Sequence, residues 1–257
     1  MKITILTLFP EMFTGFLETS IIKRALGKNI VEVELLNIRD FTENKYGRVD
    51  TPPIGGGAGL VMQAQPVVSA LESLAPGYKI LFSPRGKTFN QNKAFSLARK
   101  DHLILVCGHY EGIDERVNQY VDELISMGDF ILTGGEIPAM AISDAVIRLL
   151  DGVISIDSLN EESFTHNSLL EYPQYTEPYD FKGQTVPLIL YSGNHKAIEK
   201  WRRKQSLYLT YSLRPDLYPL VLKDAGDDKL LKEALSGTIG KWESDVIAKS
   251  KKFTDKK

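Results

Sequence analysis

Short runs of β-branched and other apolar residues recur along the first half of the chain, each followed by a stretch with helical spacing. Ile3, Ile5 and Leu6 read as a buried strand that ends at Phe9-Pro10, because proline cannot continue a central ladder. A helix is expected over 11–26, a strand over 31–38 (VEVELLNI) and a helix over 67–74. A strand follows at 79–83, a helix at 90–99 and a strand at 102–107 (HLILVC). A further strand is expected at 129–133 and a strongly amphipathic helix at 139–150. Alternation of this kind constrains the chain to an α/β class with a mostly parallel sheet, since parallel strands need crossovers long enough to hold a helix. Beyond Leu150 the texture becomes polar and carboxylate-rich. That change predicts a domain over 1–160, a linker over 161–178 and a smaller, mainly helical domain over 179–257. The second domain is expected to carry helices at 196–205 and 228–235, a brief strand at 187–191 and a frayed lysine-rich end at 249–257.

Charge and cysteine usage narrow the function. Lys+Arg 31 against Asp+Glu 33 leaves a net charge of −2, so any nucleic-acid footprint must be local. Cys107 is the only cysteine, which excludes an internal disulfide and a cysteine zinc cluster and suits a reducing, cytoplasmic setting. The apolar start is too short for a secretory signal. No run approaches the roughly 18 apolar residues of a membrane span, so neither secretion nor a membrane partner is expected.

Four glycine-rich loops punctuate the first domain: 54–60 (IGGGAGL), 83–86 (SPRG), 108–112 (GHYEG) and 133–136 (TGGE). Three of them fall where a strand should end, which is where open α/β sheets bind ligands, and glycine admits a ligand close to the backbone. No P-loop and no G-x-G-x-x-G helix start is present, and only Arg85 and Lys87 flank one loop. An adenosine carrier with few phosphates therefore fits better than a nucleoside triphosphate. His102, His109, His166 and His195 show no metal-ligand spacing, and no nucleophile elbow is present. Asp114 and Glu115 read equally well as helix-start acids, whereas Glu111, inside its loop, is the better candidate for reading a base edge. In 192–205 (SGNHKAIEKWRRKQ), Lys196, Lys200, Arg203 and Lys204 surround Trp201, a combination suited to phosphate contacts or to a solvated helix with a core tryptophan.

The strings ITILTLFPEMF, RVDTPPIGGGAGLVM, SPRG, CGHYEGIDERV, GDFILTGGEIPAM, YPQYTEP, SGNHKAIEKWRRKQ and RPDL occur in the order seen in one family. The chain resembles the bacterial tRNA (guanine-N1-)-methyltransferases of the SPOUT class. That resemblance implies a deep trefoil knot in the α/β domain and transfer of a methyl group from S-adenosylmethionine to N1 of the guanosine just 3′ of the anticodon. It also implies a homodimer with shared active sites, tRNA rather than DNA as partner, and a magnesium requirement whose ligands the sequence does not identify. By similarity the cofactor is held by Leu81, Phe82, Ser83, Gly108, Gly112, Met127, Phe130, Leu132, Gly134, Gly135 and Pro138. Arg148 corresponds to the catalytic arginine. Glu162 is the candidate base, in Glu-Ser-Phe where relatives commonly carry Asp-Ser-Phe, with Glu161 and Glu171 as rivals. The target base or its neighbours would be held by Asp50, Gly55, Gly56, Gly57, Gly59 and Glu111, and the RNA by His195, Lys200 and Arg203. Departures from the family pattern are Thr51 in place of a second Asp, Ile54 in place of Tyr, and Glu177 in place of Arg.

Overall fold

The computed structural model describes residues 1–155, 158–159, 162–164 and 168–254, without the side chains of the last five of these. The chain divides into two compact units, Met1–Ser155 and Ile156–Lys257.

The first unit is built on a five-stranded parallel sheet in the order β2-β1-β6-β5-β7. Its strands are β1 (Lys2–Thr7), β2 (Glu32–Asn37), β5 (Tyr78–Thr88), β6 (His102–Val106) and β7 (Glu123–Ser126). A short antiparallel ribbon, β3 (Asp50–Thr51) with β4 (Val61–Met62), stands apart. Alternate strand residues feed two apolar layers. Ile3, Ile5, Leu103, Leu105, Ile80 and Ile125 pack on one face against α2 (Ser20–Gly27), α4 (Gln91–Leu97) and α5 (Glu136–Ile147). Leu6, Ile104, Val106 and Leu81 pack on the other against α3 (Ala64–Glu72). Coverage on both sides is why 102–107 reads as a continuous apolar run, and each such buried side chain contributes about 1.5–3 kcal/mol.

Several expectations need correction. The helix expected over 11–26 is broken into a 3-10 turn (Pro10–Phe13), α1 (Thr14–Leu17) and α2, with an extended Thr19 before α2 and a left-handed Ser20 (φ 49°) at its first position. No strand forms at 129–133, where Phe130 and Ile131 are exposed. The strand is instead β7, in VDELISM, whose Glu123 interrupts the apolar pattern but accepts hydrogen bonds from Lys93 and Tyr78. The expected amphipathic helix, α5, is apolar almost all round: Ala139, Ile142, Val146 and Ile147 are buried while Ile137 is exposed.

One backbone crossing shapes the ligand edge of this unit. β5 leaves its ladder with β7 after Phe82 and rejoins it at Lys87. At Gly86 a Cβ would lie 2.5 Å from the backbone of Leu124 and Ile125, so only glycine permits the passage.

The second unit contains α6 (His195–Leu213), α7 (Asp227–Leu235), α8 (Lys241–Thr254) and a two-residue hairpin, β8 (Asp180–Phe181) with β9 (Gln184–Thr185). The Asn194 side chain caps α6 by accepting from the Ala197 amide at 3.2 Å. Residues 187–191 form a 3-10 turn (Leu188–Tyr191) rather than a strand; of the end expected to fray, 249–254 are helical and 255–257 lie outside the described residues. Trp201 packs with Ile189, Ala197, Trp242, Val246 and Ile247. Lys204 and Glu243 form a buried ion pair at 2.8 Å, tying α6 to α8.

Removing one partner of such a pair leaves an uncompensated buried charge. Glu243→Ala should destabilise the second unit by about 3–5 kcal/mol, while Lys204→Met with Glu243→Leu should recover most of that loss. Urea unfolding followed by tryptophan fluorescence checks this, because both tryptophans of the chain lie in this unit.

Candidate functional site

At the carboxyl ends of β5, β6 and β7 the intervening loops enclose a cleft of about 640 Å³, within the usual range for small-molecule sites. Every residue expected by resemblance to hold the cofactor lies on its wall: Leu81, Phe82 and Ser83 from β5, Gly108 and Gly112 from the loop after β6, Met127, Phe130 and Leu132 after β7, and Gly134, Gly135 and Pro138 at the start of α5. Glu111 lines the same cleft. The exposed apolar run at 130–132 that mimics a strand in the sequence is therefore a wall of the cleft.

Close backbone approach assembles this wall. The Gly135 amide donates to the Gly108 carbonyl at 2.8 Å, and a Cβ on Gly135 would lie 2.6 Å from the Cys107 Cα. Cys107 is fully buried; desolvation first, and then the Glu136 charge, push its thiol well above the usual value, so it behaves as an inert small hydrophobe. The 54–60 loop joins the edge through Glu111. The Glu111 amide donates to the Leu60 carbonyl at 3.0 Å, and the Glu111 side chain occupies the space a Cβ on Gly59 would need. Gly55, Gly56 and Gly57 all have positive φ, and Ile54 is fully exposed at the tip of this loop.

The described lining of the cleft sets one cation, Arg85, against two carboxylates, Glu111 and Glu115. Arg85 is the only lysine or arginine in its described lining, and its guanidinium meets the Glu115 carboxylate at 2.7 Å. The same hydrogen bond holds the Glu115 carboxyl below its usual range and raises Arg85. A wall with no spare cation suits a ligand of low negative charge. Tyr110 stands on this wall with φ 60°, a conformation that L residues rarely adopt. Burial raises its phenol, a hydrogen bond to Asp50 adds to the rise, and Arg39 opposes it.

Other expected residues lie elsewhere. Arg148 directly follows α5 as its C-cap. Glu162 is half-buried in the second unit. Its neighbour Ser163 accepts from the Glu171 amide at 2.8 Å, and the Glu171 carboxylate accepts from Gln174 at 2.7 Å. Glu161 and His166 lie outside the described residues. On α6, His195, Lys196 and Lys200 are exposed, with Lys200 4.5 Å above the Trp242 ring. Arg203 departs from its expected role: its guanidinium is bound to the buried Asp227, at 2.7 Å on the shorter contact, and Lys204 is likewise committed to Glu243. These two cations are engaged in ion pairs within the fold. Sequence reasoning passed over Thr7, His109 and Glu136, which meet beneath the cleft; a carboxylate opening an apolar helix directly after two glycines was the available signal.

Fold and cleft define an open α/β domain with a glycine-lined ligand crevice at the carboxyl edge of a parallel sheet. A family model described as tRNA (Guanine-1)-methyltransferase TrmD matches residues 1–220. Among curated proteins, a tRNA (guanine-N(1)-)-methyltransferase of Moorella thermoacetica is 53% identical over 241 residues, covering 91% of this chain and 96% of the relative. Proteins of the same name from Clostridium beijerinckii and Dictyoglomus turgidum are 54% and 52% identical, covering 90% and 91% of this chain and 98% and 96% of their own. The chain belongs to the tRNA (guanine-1)-methyltransferase family.

The Asp227–Arg203 pair gives a pH-dependent contribution. Burial pulls the Asp227 carboxyl up, but hydrogen bonds from Arg203 and the Asp224 amide outweigh it, and the net shift is downward. A depressed carboxyl contributes stability that is present above its unfolded value of about 3.9 and is lost as pH falls through the lower folded value. Asp227→Asn should therefore flatten the acid limb of the stability profile below about pH 4, measured by denaturant unfolding across that range.

Proposed function

We propose that this protein is a tRNA guanine-N1 methyltransferase that takes its methyl group from S-adenosylmethionine and places it on the guanosine just 3′ of the anticodon. The observation that carries this reading is the convergence on one cleft of all eleven residues at which the family resemblance expects donor contacts. The cleft suits that donor chemically. Leu81, Phe82, Met127, Leu132 and Pro138 give apolar surface for an adenine ring, the glycine loops offer backbone polar groups, and no unpaired lysine or arginine of the described lining demands phosphate.

When bound, S-adenosylmethionine supplies an electrophilic sulfonium methyl group. The chain's own work lies at the acceptor, because guanine N1 carries its proton near neutral pH and is a poor nucleophile until that proton leaves. We assign removal of the N1 proton to the Glu162 carboxylate and stabilisation of the negative charge that develops on the base to the Arg148 guanidinium. The Asp50, Gly55, Gly56, Gly57 and Gly59 region, together with Glu111, is assigned to holding the base; Glu111 packed on Gly59 supports this. Among the described residues no group of three or more His, Cys, Asp or Glu side chains is arranged to hold a metal ion, so no step is assigned to magnesium. tRNA phosphates are assigned to the exposed His195, Lys196 and Lys200. A trefoil knot and a homodimer with shared active sites belong to the same reading through the resemblance. A cytoplasmic setting is supported by the lone buried Cys107 and by the lack, among the described residues, of a helix long and apolar enough to cross a membrane.

The decisive assay offers labelled S-adenosylmethionine with two anticodon-loop transcripts, one carrying guanosine 3′ of the anticodon and one carrying adenosine. Label recovered as 1-methylguanosine from the first transcript alone is expected; label in ribose, in another base or in neither transcript defeats the reading. Separately, Glu162→Gln should slow single-turnover transfer by about a hundredfold or more with tRNA binding retained. A wild-type rate in that variant removes Glu162 as the base.

A further inference from the structure

Beneath the cleft lies a carboxylate with no role in the reaction as assigned. Glu136 is only 2% exposed and opens α5 directly after Gly134 and Gly135. The Thr7 hydroxyl, at the end of β1, donates to its Oε1 at 2.8 Å and accepts from the Phe9 amide at 2.9 Å. Oε2 lies 3.7 Å from His109 Nε2. The His109 ring lines the cleft and sits 4.8 Å from that of Phe9 and 5.6 Å from that of Tyr110. The titratable groups facing Glu136 are the Cys107 thiol and the His109 imidazole.

A carboxylate at this depth is costly to desolvate, and an apolar side chain would fill the same space without that cost. Its contacts indicate what offsets the cost. Three chain segments meet on this one side chain: the end of β1, the loop after β6 and the loop before α5. The last two carry much of the cleft wall, and they are also joined by the Gly135–Gly108 hydrogen bond and by a bridge between His109 and Gly134. Gly134 is wrapped around the pair so closely that a Cβ there would collide with both the Glu136 carboxylate and the His109 ring.

We infer that Glu136 is a positioning residue for the donor cleft: anchored by Thr7 and packed against His109 and Gly134, it holds the 108–112 and 133–135 loops against each other, so that the cleft is preformed. The inference rests on the reading of that cleft as the donor site. Glu136 is absent from the described lining, so it acts through His109 and the two glycines.

Four proteins test this: the natural chain, Glu136→Gln, Glu136→Leu and Thr7→Val. Glutamine keeps an acceptor for Thr7 and offers an amide N–H to His109, whereas leucine keeps only the volume. In Glu136→Leu, the KM for S-adenosylmethionine and the Kd for S-adenosylhomocysteine should rise about tenfold or more. The KM for tRNA and the rate at saturating donor should change little. Glutamine should restore donor affinity to near the natural value, and Thr7→Val should fall between. Amide hydrogen exchange without any ligand should quicken at 108–112 and 133–135 in the leucine variant and return to normal with glutamine. Unchanged donor KM and exchange in folded Glu136→Leu overturn the inference. So does an equal rise in both KM values, or a glutamine variant as impaired as leucine. Should Glu136→Leu fail to fold, Thr7→Val decides by the same readouts. A natural protein that does not bind S-adenosylhomocysteine would defeat the reading of the cleft instead, and loop exchange would still decide the role of Glu136.

Discussion

Backbone meeting backbone at the carboxyl edge of the parallel sheet is the constraint on which the first unit depends. Gly86 passes the ladder partner of its own strand at a distance no side chain permits, and Gly135 rests on the Cα of Cys107. Each contact removes the freedom to place a larger residue and brings loops from different crossovers within one ligand's reach. The cleft is thus a product of chain path before it is a product of side-chain chemistry. Its walls come from residues far apart in sequence, and the glycines between them bear the geometric demand.

Charge follows the same economy. Arg85 is neutralised by Glu115 at the cleft, and Glu136 accepts from the Thr7 hydroxyl with the His109 imidazole 3.7 Å away. A cleft arranged this way offers polyphosphates no free counter-charge, and it leaves shape and backbone polar groups as its means of selection. The backbone contact of Glu111 with Leu60 and the packing of its side chain on Gly59 join the cleft to the 54–60 loop, beside Tyr110 in its unfavourable backbone conformation.

Much of this fold can be read directly from the sequence where one physical signal dominates. β1 and β6 run apolar as buried strands must, β2 alternates as a half-exposed edge strand does, and α3 and α4 keep helical spacing. Misreadings arise where an apolar residue has a purpose other than the core, or a polar one is buried with a partner. Phe130, Ile131 and Leu132 imitate a strand because they wall a ligand site; Glu123 disguises β7 because its charge is satisfied by Lys93. The glycine loops are legible as the wall of a cleft, since turn chemistry is local. Glu136 is not, because its meaning depends on Thr7, which lies 129 residues away in sequence.

The basic stretch on α6 carries the same argument to the second unit. Five cations around Trp201 present one pattern in sequence, yet the fold treats them differently, and Arg202 stacks 4.4 Å above the Tyr172 ring. Arg203 finds Asp227 24 residues on, and Lys204 finds Glu243 39 residues on, so each closes a contact between helices. Both partners are buried acids that would be untenable without a cation, so the pairing is demanded from both sides. Lys196 and Lys200 have no such demand on them and face solvent. Local charge density thus overstates the surface available to a polyanion. The exposed remainder, on the first two turns of α6, is where phosphate contacts with tRNA have room to form.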